Sequence, residues 1–322
     1  MGIPELSIIM PVFNSERYIG EAVNSLLSQN YTDFELIIVD DASTDGSLQV
    51  VKSFDDNRIK IITNDRNRGI VFSRNRGLLE ATGRFISPFD ADDVAMHEKF
   101  SLQMGFLKKN PAYGMIGSWG RMINEEGKLL KQKWKLNASP EKIPAILLFR
   151  NYFLQPSIVI RREAIPKDGY SEGYDIGEDY KMWFEVARRF NVWNYPEYLV
   201  RIRIHKQSTT RGDTERLHRY DAKVYRYLFK PLEIELDDHL VSLLLLIKND
   251  EQILLPESLE EIEALLLLIL DQNRKLGIYD QKQLRKVVLN RWVKACNKAR
   301  RLHFKMAARF LNSPLLKLYS AS

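Results

Sequence analysis

The sequence predicts an α/β fold, a parallel sheet built from strand–helix repeats and followed by a helical C-terminal region. Three observations carry that prediction. Short apolar runs alternate with amphipathic stretches as far as Pro88, and three of these runs (Leu6–Met10, Phe34–Val39 and Phe85–Pro88) end directly in a polar cluster. Beyond Thr210 the apolar spacing is helical only.

Taken in order, Leu6–Met10 reads as a short buried strand ended by Pro11. Glu16–Gln29 places Ile19, Val23, Leu26 and Leu27 on one face of a helix. Phe34–Val39 is a second strand, after which Ser43 or Thr44 is placed to cap a helix running towards Phe54. Ile59–Thr63 and Phe85–Pro88 are the third and fourth strands, separated by a helix over Gly69–Ala81. Such alternation implies right-handed crossovers and a parallel sheet. Ala112–Gly120, Leu129–Trp134 and Gln155–Arg161 are expected to extend it into a mixed sheet. A helix over Tyr180–Phe190 and a strand over Tyr198–Ile204 follow. Leu240–Ile247 and Ile262–Leu270 read as buried helical stripes.

Composition narrows the class. The 322 residues are 45% hydrophobic and 28% charged, as in a globular protein of about two domains. A single cysteine, Cys296, excludes an intramolecular disulfide framework and suits a reducing compartment. The N-terminus lacks the pattern of a secretion signal, and no apolar run reaches the length of a membrane span. A cytoplasmic location is therefore expected. The net charge of +6 is unevenly placed: residues 281–322 hold 11 Lys and Arg and no acid, against 37 basic and 42 acidic residues before them. A nucleic-acid binder would concentrate its basic residues around its main groove instead.

Chemistry concentrates at strand ends. Asp90-Ala91-Asp92-Asp93 places three carboxylates in four positions after the fourth strand. These repel one another unless a cation intervenes, and oxygen-rich sets of this kind suit Mg²⁺ or Mn²⁺ bridging to a diphosphate. The alternative is an acidic turn, or an N-cap for a helix starting near Val94. Pro11–Asn14, Asp40–Asp45 and Asp90–Asp93 all leave the carboxyl ends of strands, where open α/β sheets bind ligands. The Gly-rich dinucleotide and P-loop signatures are absent, so any phosphate must be held by metal and arginine.

These segments resemble inverting glycosyltransferase family 2, which has the GT-A nucleotide-diphosphosugar fold. The resemblance rests on Ile9-Met10-Pro11-Val12-Phe13-Asn14 with Glu16, Val39–Ser47, Asn67-Arg68-Gly69, Arg74-Asn75-Arg76-Gly77 and Asp90–Asp93. Downstream, Gly177-Glu178-Asp179-Tyr180 and Arg203–Ser208 continue it. It implies a GT-A domain over 1–215, its nucleotide half at 1–95 and its acceptor half at 96–215, with a helical region over 216–322. Pro11, Val12, Phe13, Asn14, Glu16 and Asp41 should line the nucleoside pocket, supported by Asp40. Arg74 should lie towards base or phosphate. Asp90, beside Ala91, should face the ribose. Asp92 should bind Mn²⁺ or Mg²⁺, and His205 is a second candidate ligand, since Mn²⁺ accepts imidazole. Asp179 matches the family's general base and Glu178 its acidic neighbour.

The expected activity is sugar transfer from a nucleotide-diphosphate sugar to a saccharide hydroxyl, with inversion. Gln155-Pro156-Ser157, Met115–Trp119 and Glu178–Ser208 resemble bacterial lipooligosaccharide N-acetylglucosaminyltransferases, which tilts the donor towards a UDP-hexose or UDP-N-acetylhexosamine. The remaining readings are a nucleotidyltransferase acting on sugar phosphates and a non-catalytic saccharide-binding protein of the same fold. The first would want a Gly-rich, basic loop where Pro11–Asn14 stands. Lys206 and Ser208 are candidates for a lid over the diphosphate, and Trp119 and Trp134 are aromatic candidates for a sugar face or for core. Leu284, Val288, Trp292, Cys296, Ala299, His303, Met306 and Phe310 form an apolar stripe flanked by Lys and Arg. That pattern suits either an anionic membrane surface or a helix packed on the protein with a solvated basic face.

Overall fold

A computed structural model describes residues 2–174, 176–205, 214–248, 256–300 and 313–316. The lid candidates Lys206 and Ser208 and the tail residues His303, Met306 and Phe310 lie outside these. The chain divides into two compact units, 1–138 with 153–212 and 139–152 with 213–322.

In the first unit the order is β1 (Leu6–Val12), α1 (Glu16–Leu27), β2 (Phe34–Asp40), α2 (Ser47–Lys52), β3 (Ile59–Thr63), α3 (Ile70–Glu80) and β4 (Phe85–Pro88). Then come β5 (Val94–Ala95), α4 (Lys99–Lys109), β6 (Tyr113–Ile123) and β7 (Leu129–Trp134). After α5 (Ile143–Leu147), which belongs to the second unit, β8 (Val159–Arg161), α6 (Glu178–Ala187) and β9 (Asn191–Arg203) complete the sheet. The strand order is β3-β2-β1-β4-β8-β6-β9-β5, with β7 paired to β6. Strands β3, β2, β1 and β4 run parallel, β8 is antiparallel to β4 and β6, and β9 is parallel to β6. This is a mixed sheet, as the resemblance to the GT-A fold implies.

Burial follows from the sequence pattern. Every residue of β1 is buried, as expected of a parallel strand covered on both faces. Leu6, Ile8, Met10 and Val12 join Ile19, Ala22, Val23 and Leu26 of α1 in one apolar cluster. Each Leu, Ile, Met and Val among them contributes roughly 1.5–3 kcal/mol on full burial. Gly83 lets β4 close on β1: a Cβ there would stand 2.7 Å from the Ser7 backbone nitrogen and 2.8 Å from the Leu6 carbonyl carbon. Because the obstacle is backbone, it cannot swing aside. Gly83→Ala is therefore expected to destabilise the first unit by about 1–3 kcal/mol, read as a lower denaturant midpoint.

Several local expectations are corrected. Pro11 does not end β1 but pairs opposite Val39 inside it, and the strand continues to Val12. Val94 begins no helix; Val94 and Ala95 form a short strand on Arg201 and Val200, and the helix starts only at Lys99. Asp90–Asp93 is thus not a helix cap. Neither Ser43 nor Thr44 caps α2, whose N-cap is Gly46; Asp45, one residue earlier, accepts from the Ser47 amide at 3.0 Å. Gln155–Ser157 forms a 3-10 turn that shortens β8.

The second unit holds α5, α7 (Thr214–Leu228), α8 (Asp238–Lys248), α9 (Pro256–Leu276) and α10 (Gln281–Arg300). Residues 139–152 join it, unlike in the sequence-based division, because Ile143, Ala145, Leu147, Leu148 and Phe149 are apolar and buried, and Tyr225 donates to the Phe149 carbonyl at 2.8 Å. Leu284, Val288, Trp292 and Cys296 are buried, with α10 packed against α9. In these turns the apolar stripe is core, and two of the basic residues, Arg291 and Lys298, are buried with it, Lys298 donating to the Leu246 carbonyl at 3.1 Å. Among the described residues no helix is long and apolar enough to cross a membrane.

Candidate active site

The loops after β1, β2 and β4 leave the same edge of the sheet, as parallel pairing of these strands requires. The first two loops are zipped together. Asn14, held at φ +49°, donates its amide to Ser43 Oγ at 3.1 Å and accepts from the Thr44 amide at 2.8 Å. Ser15 donates to Ser47 Oγ at 2.7 Å, and the Glu16 amide to Asp45 Oδ2 at 3.0 Å. The Gly46 amide returns the bond to Glu16 Oε2 at 2.9 Å. Glu16 and Asp45 therefore each accept a backbone amide at the start of the other's helix, which gives Glu16 a structural task that sequence reading did not assign.

This lattice fixes Pro11–Asn14 as a rigid lip from which Phe13 projects, 46% exposed. Asp40 is buried and accepts from the Ser43 amide at 3.3 Å. Asp41 is buried too, and both its oxygens are engaged. Oδ1 accepts from Asn64 Nδ2 at 2.6 Å and the Arg68 amide at 2.9 Å, and Oδ2 from the Gly69 amide at 2.8 Å. It thereby pins the 64–69 loop onto the end of β2.

Arg74 does not reach into open space towards a base or phosphate. Its buried guanidinium donates to Asp90 Oδ1 at 2.9 Å through one nitrogen and pairs with Glu178 through the other. It thus joins the end of β4 to the first turn of α6. Burial alone would lower its pKa, but Glu178 and Asp90 more than offset that and raise it. Burial pushes Glu178 up to about 7, opposed by Arg74 and assisted by Asp179. Asp90 is raised by burial and by Asp92, again against Arg74. Asp179 is half-buried at the second position of α6, its Oδ1 accepting from the Tyr180 amide at 2.6 Å.

The acidic motif divides in two. Asp93 turns inward, accepts the Arg203 amide at 2.8 Å, and has its pKa raised well above normal by burial and by Asp92 and Asp90. Asp92 stays partly exposed, and its Oδ2 lies 2.8 Å from His205 Nε2. Sequence reading named both as candidate ligands, and they lie side by side although more than a hundred positions apart. It missed Arg203. That side chain is almost wholly buried and donates to the carbonyls of Asp92 (2.9 Å), Asn124 (3.2 Å) and Glu125 (3.0 Å), while also pairing with Glu21. The available signal was an arginine between Ile202 and Ile204, two residues before His205.

Beside His205 lies a cleft of about 670 Å³ lined by Asn14, Ser15, Arg17, Tyr18, Asp45 and Glu125 among others. Among the described residues no three His, Cys, Asp or Glu converge as a metal cage. A carboxylate and an imidazole side by side do fit a divalent ion, and Asp92 and His205 would be the residues to hold it.

The glycosyl transferase family 2 profile matches residues 7–167. The chain belongs to that family. The transferase is similar to WfgD of Escherichia coli, a UDP-Glc:alpha-D-GlcNAc-diphosphoundecaprenol beta-1,3-glucosyltransferase, with 32% identity over 58% of this chain and 71% of the relative. In fold it is similar to residues 1–349 of Staphylococcus aureus TarS in complex with UDP (TM-score 0.57, 20% identity, 92% of this chain and 89% of that one). The mannosyltransferase PcManGT of Pyrobaculum calidifontis, in complex with GDP-Man and Mn²⁺, shares the fold at a TM-score of 0.55, with 17% identity over 92% and 87% of the two chains.

Proposed function

We propose that this transferase is metal-dependent and inverting, and moves a hexose or N-acetylhexosamine from a UDP-sugar to a saccharide hydroxyl during surface polysaccharide assembly. The observation that carries the reading is the Asp92–His205 pair, 2.8 Å apart, with Asp92 on the loop that follows β4. A neighbour of this fold is bound to Mn²⁺ and another to UDP, and WfgD uses UDP-Glc and a lipid-linked acceptor. An acceptor of that kind would bring the enzyme to the cytoplasmic face of a membrane.

In this reading Pro11–Asn14 and Asp41 frame the nucleobase, and Asp90 faces the ribose. Asp92 and His205 hold the cation, which when bound stabilises the departing diphosphate as a Lewis acid. The anomeric C–O bond breaks with its electron pair leaving on the nucleoside diphosphate. The acceptor oxygen bonds to the opposite face of that carbon, and its proton passes to the Asp179 carboxylate. One displacement inverts the configuration.

A thermal-shift screen with UDP and GDP, each with and without Mn²⁺, tests this. UDP at 100 times its dissociation constant should add about 2.7 kcal/mol of stability with Mn²⁺ and far less without it. An equal shift with and without the metal would remove the metal from the reading, and a shift confined to GDP would replace the donor.

A further inference from the structure

The geometry points to Arg74 as a positioning residue, one that holds the base-bearing turn of α6 in register with the donor-side Asp90 by gripping Glu178. This rests on the transferase reading and gives Glu178 a different part from Asp179. Three observations carry it. First, one side chain on α3 spans two acidic segments far apart in sequence, with one guanidinium nitrogen to Asp90 Oδ1 at 2.9 Å and another to Glu178. Second, Arg74 and Glu178 are buried, their side chains 6% and 9% exposed, whereas Asp90 is 31% exposed. Third, the next residue repeats the device: Asn75 Nδ2 donates to the Tyr170 carbonyl at 2.8 Å, and the Tyr170 amide donates back to Asn75 Oδ1 at 2.8 Å. The Arg74 guanidinium also lies 5.4 Å from the centre of the Tyr170 ring.

Two adjacent residues of α3 thus moor the segment that leads into α6. Glu178 occupies the first helical position and Asp179 the second, so fixing the Glu178 carboxylate fixes where the Asp179 side chain leaves the helix. An arginine suits this task because its planar fork presents separate nitrogens to two carboxylates, where a lysine offers a single compact charge. Glu178, turned inward onto Arg74, is an anchor. Misplacing a reacting group by about 1 Å can cost on the order of 10²-fold in rate.

The test is steady-state kinetics on the full chain, with the donor's thermal shift measured alongside. Arg74→Met should lower kcat about 10²-fold with a smaller change in the KM for donor, and Arg74→Lys should recover part of that loss. Glu178→Gln retains an oxygen acceptor for Arg74, so its kcat should fall only about tenfold, well short of Asp179→Asn. Glu178→Gln would still decide the matter should Arg74→Met fail to fold. Wild-type turnover together with a Glu178→Gln loss equal to that of Asp179→Asn would overturn the anchor role. So would a folded Arg74→Met with wild-type kcat. If the wild-type protein transfers no sugar, the transferase reading itself fails, and that outcome is separable from both.

Discussion

Asp92→Ala is expected to lower the rate of sugar transfer by about 10³-fold or more, the order lost when a principal electrostatic stabiliser of departing charge is removed. The protein should stay folded. Asp92 is partly exposed, its side chain bonds to His205, and the loop is anchored elsewhere, by Arg203 on the Asp92 carbonyl and on the Asp93 carboxylate. Removing the carboxylate also withdraws a like charge that raises the pKa of both Asp90 and Asp93. The melting temperature without ligand should therefore be no lower than wild type. With UDP present, a Mn²⁺ titration should raise it in the wild type and leave the variant flat. Full transfer by a folded Asp92→Ala protein in chelator-treated buffer would end the metal-dependent reading.

The parts of this fold that were legible in the sequence are those fixed by period and by strand ends. β1, β2 and β4 announced themselves as continuous apolar runs that end up almost wholly buried, and α1 by apolar residues three to four apart. The polar loops after β1, β2 and β4 followed from the parallel topology. Pro11 misled because proline is a strand breaker on average, yet within β1 it keeps its place opposite Val39. Residues 139–152 misled because membership of a compact unit is decided by long-range apolar contacts that leave no local signal. The same holds for side-chain partners. Nothing near Arg74 in sequence says that it will meet Glu178, and nothing near Glu16 says that it will accept from the Gly46 amide. Asp92 and His205 were named as candidate ligands through family resemblance, since residue spacing alone cannot join positions so far apart.

Asp179→Asn is the second large effect expected, a loss of about 10²–10⁴-fold in kcat, the usual contribution of a positioned proton acceptor. The substitution is nearly isosteric, and Asn retains an oxygen to accept from the Tyr180 amide, the 2.6 Å bond that Asp179 makes within the first turn of α6. Glu178 keeps Arg74, so the moorings of the turn are undisturbed. What disappears is the capacity to take the acceptor hydroxyl's proton as the new glycosidic bond forms. Asp92 and His205 are untouched, so the UDP- and Mn²⁺-dependent thermal shift should persist while turnover collapses. That combination separates a base from a binder. A parallel loss of the shift would assign Asp179 to the donor pocket, and undiminished turnover would move the proton acceptor to another residue.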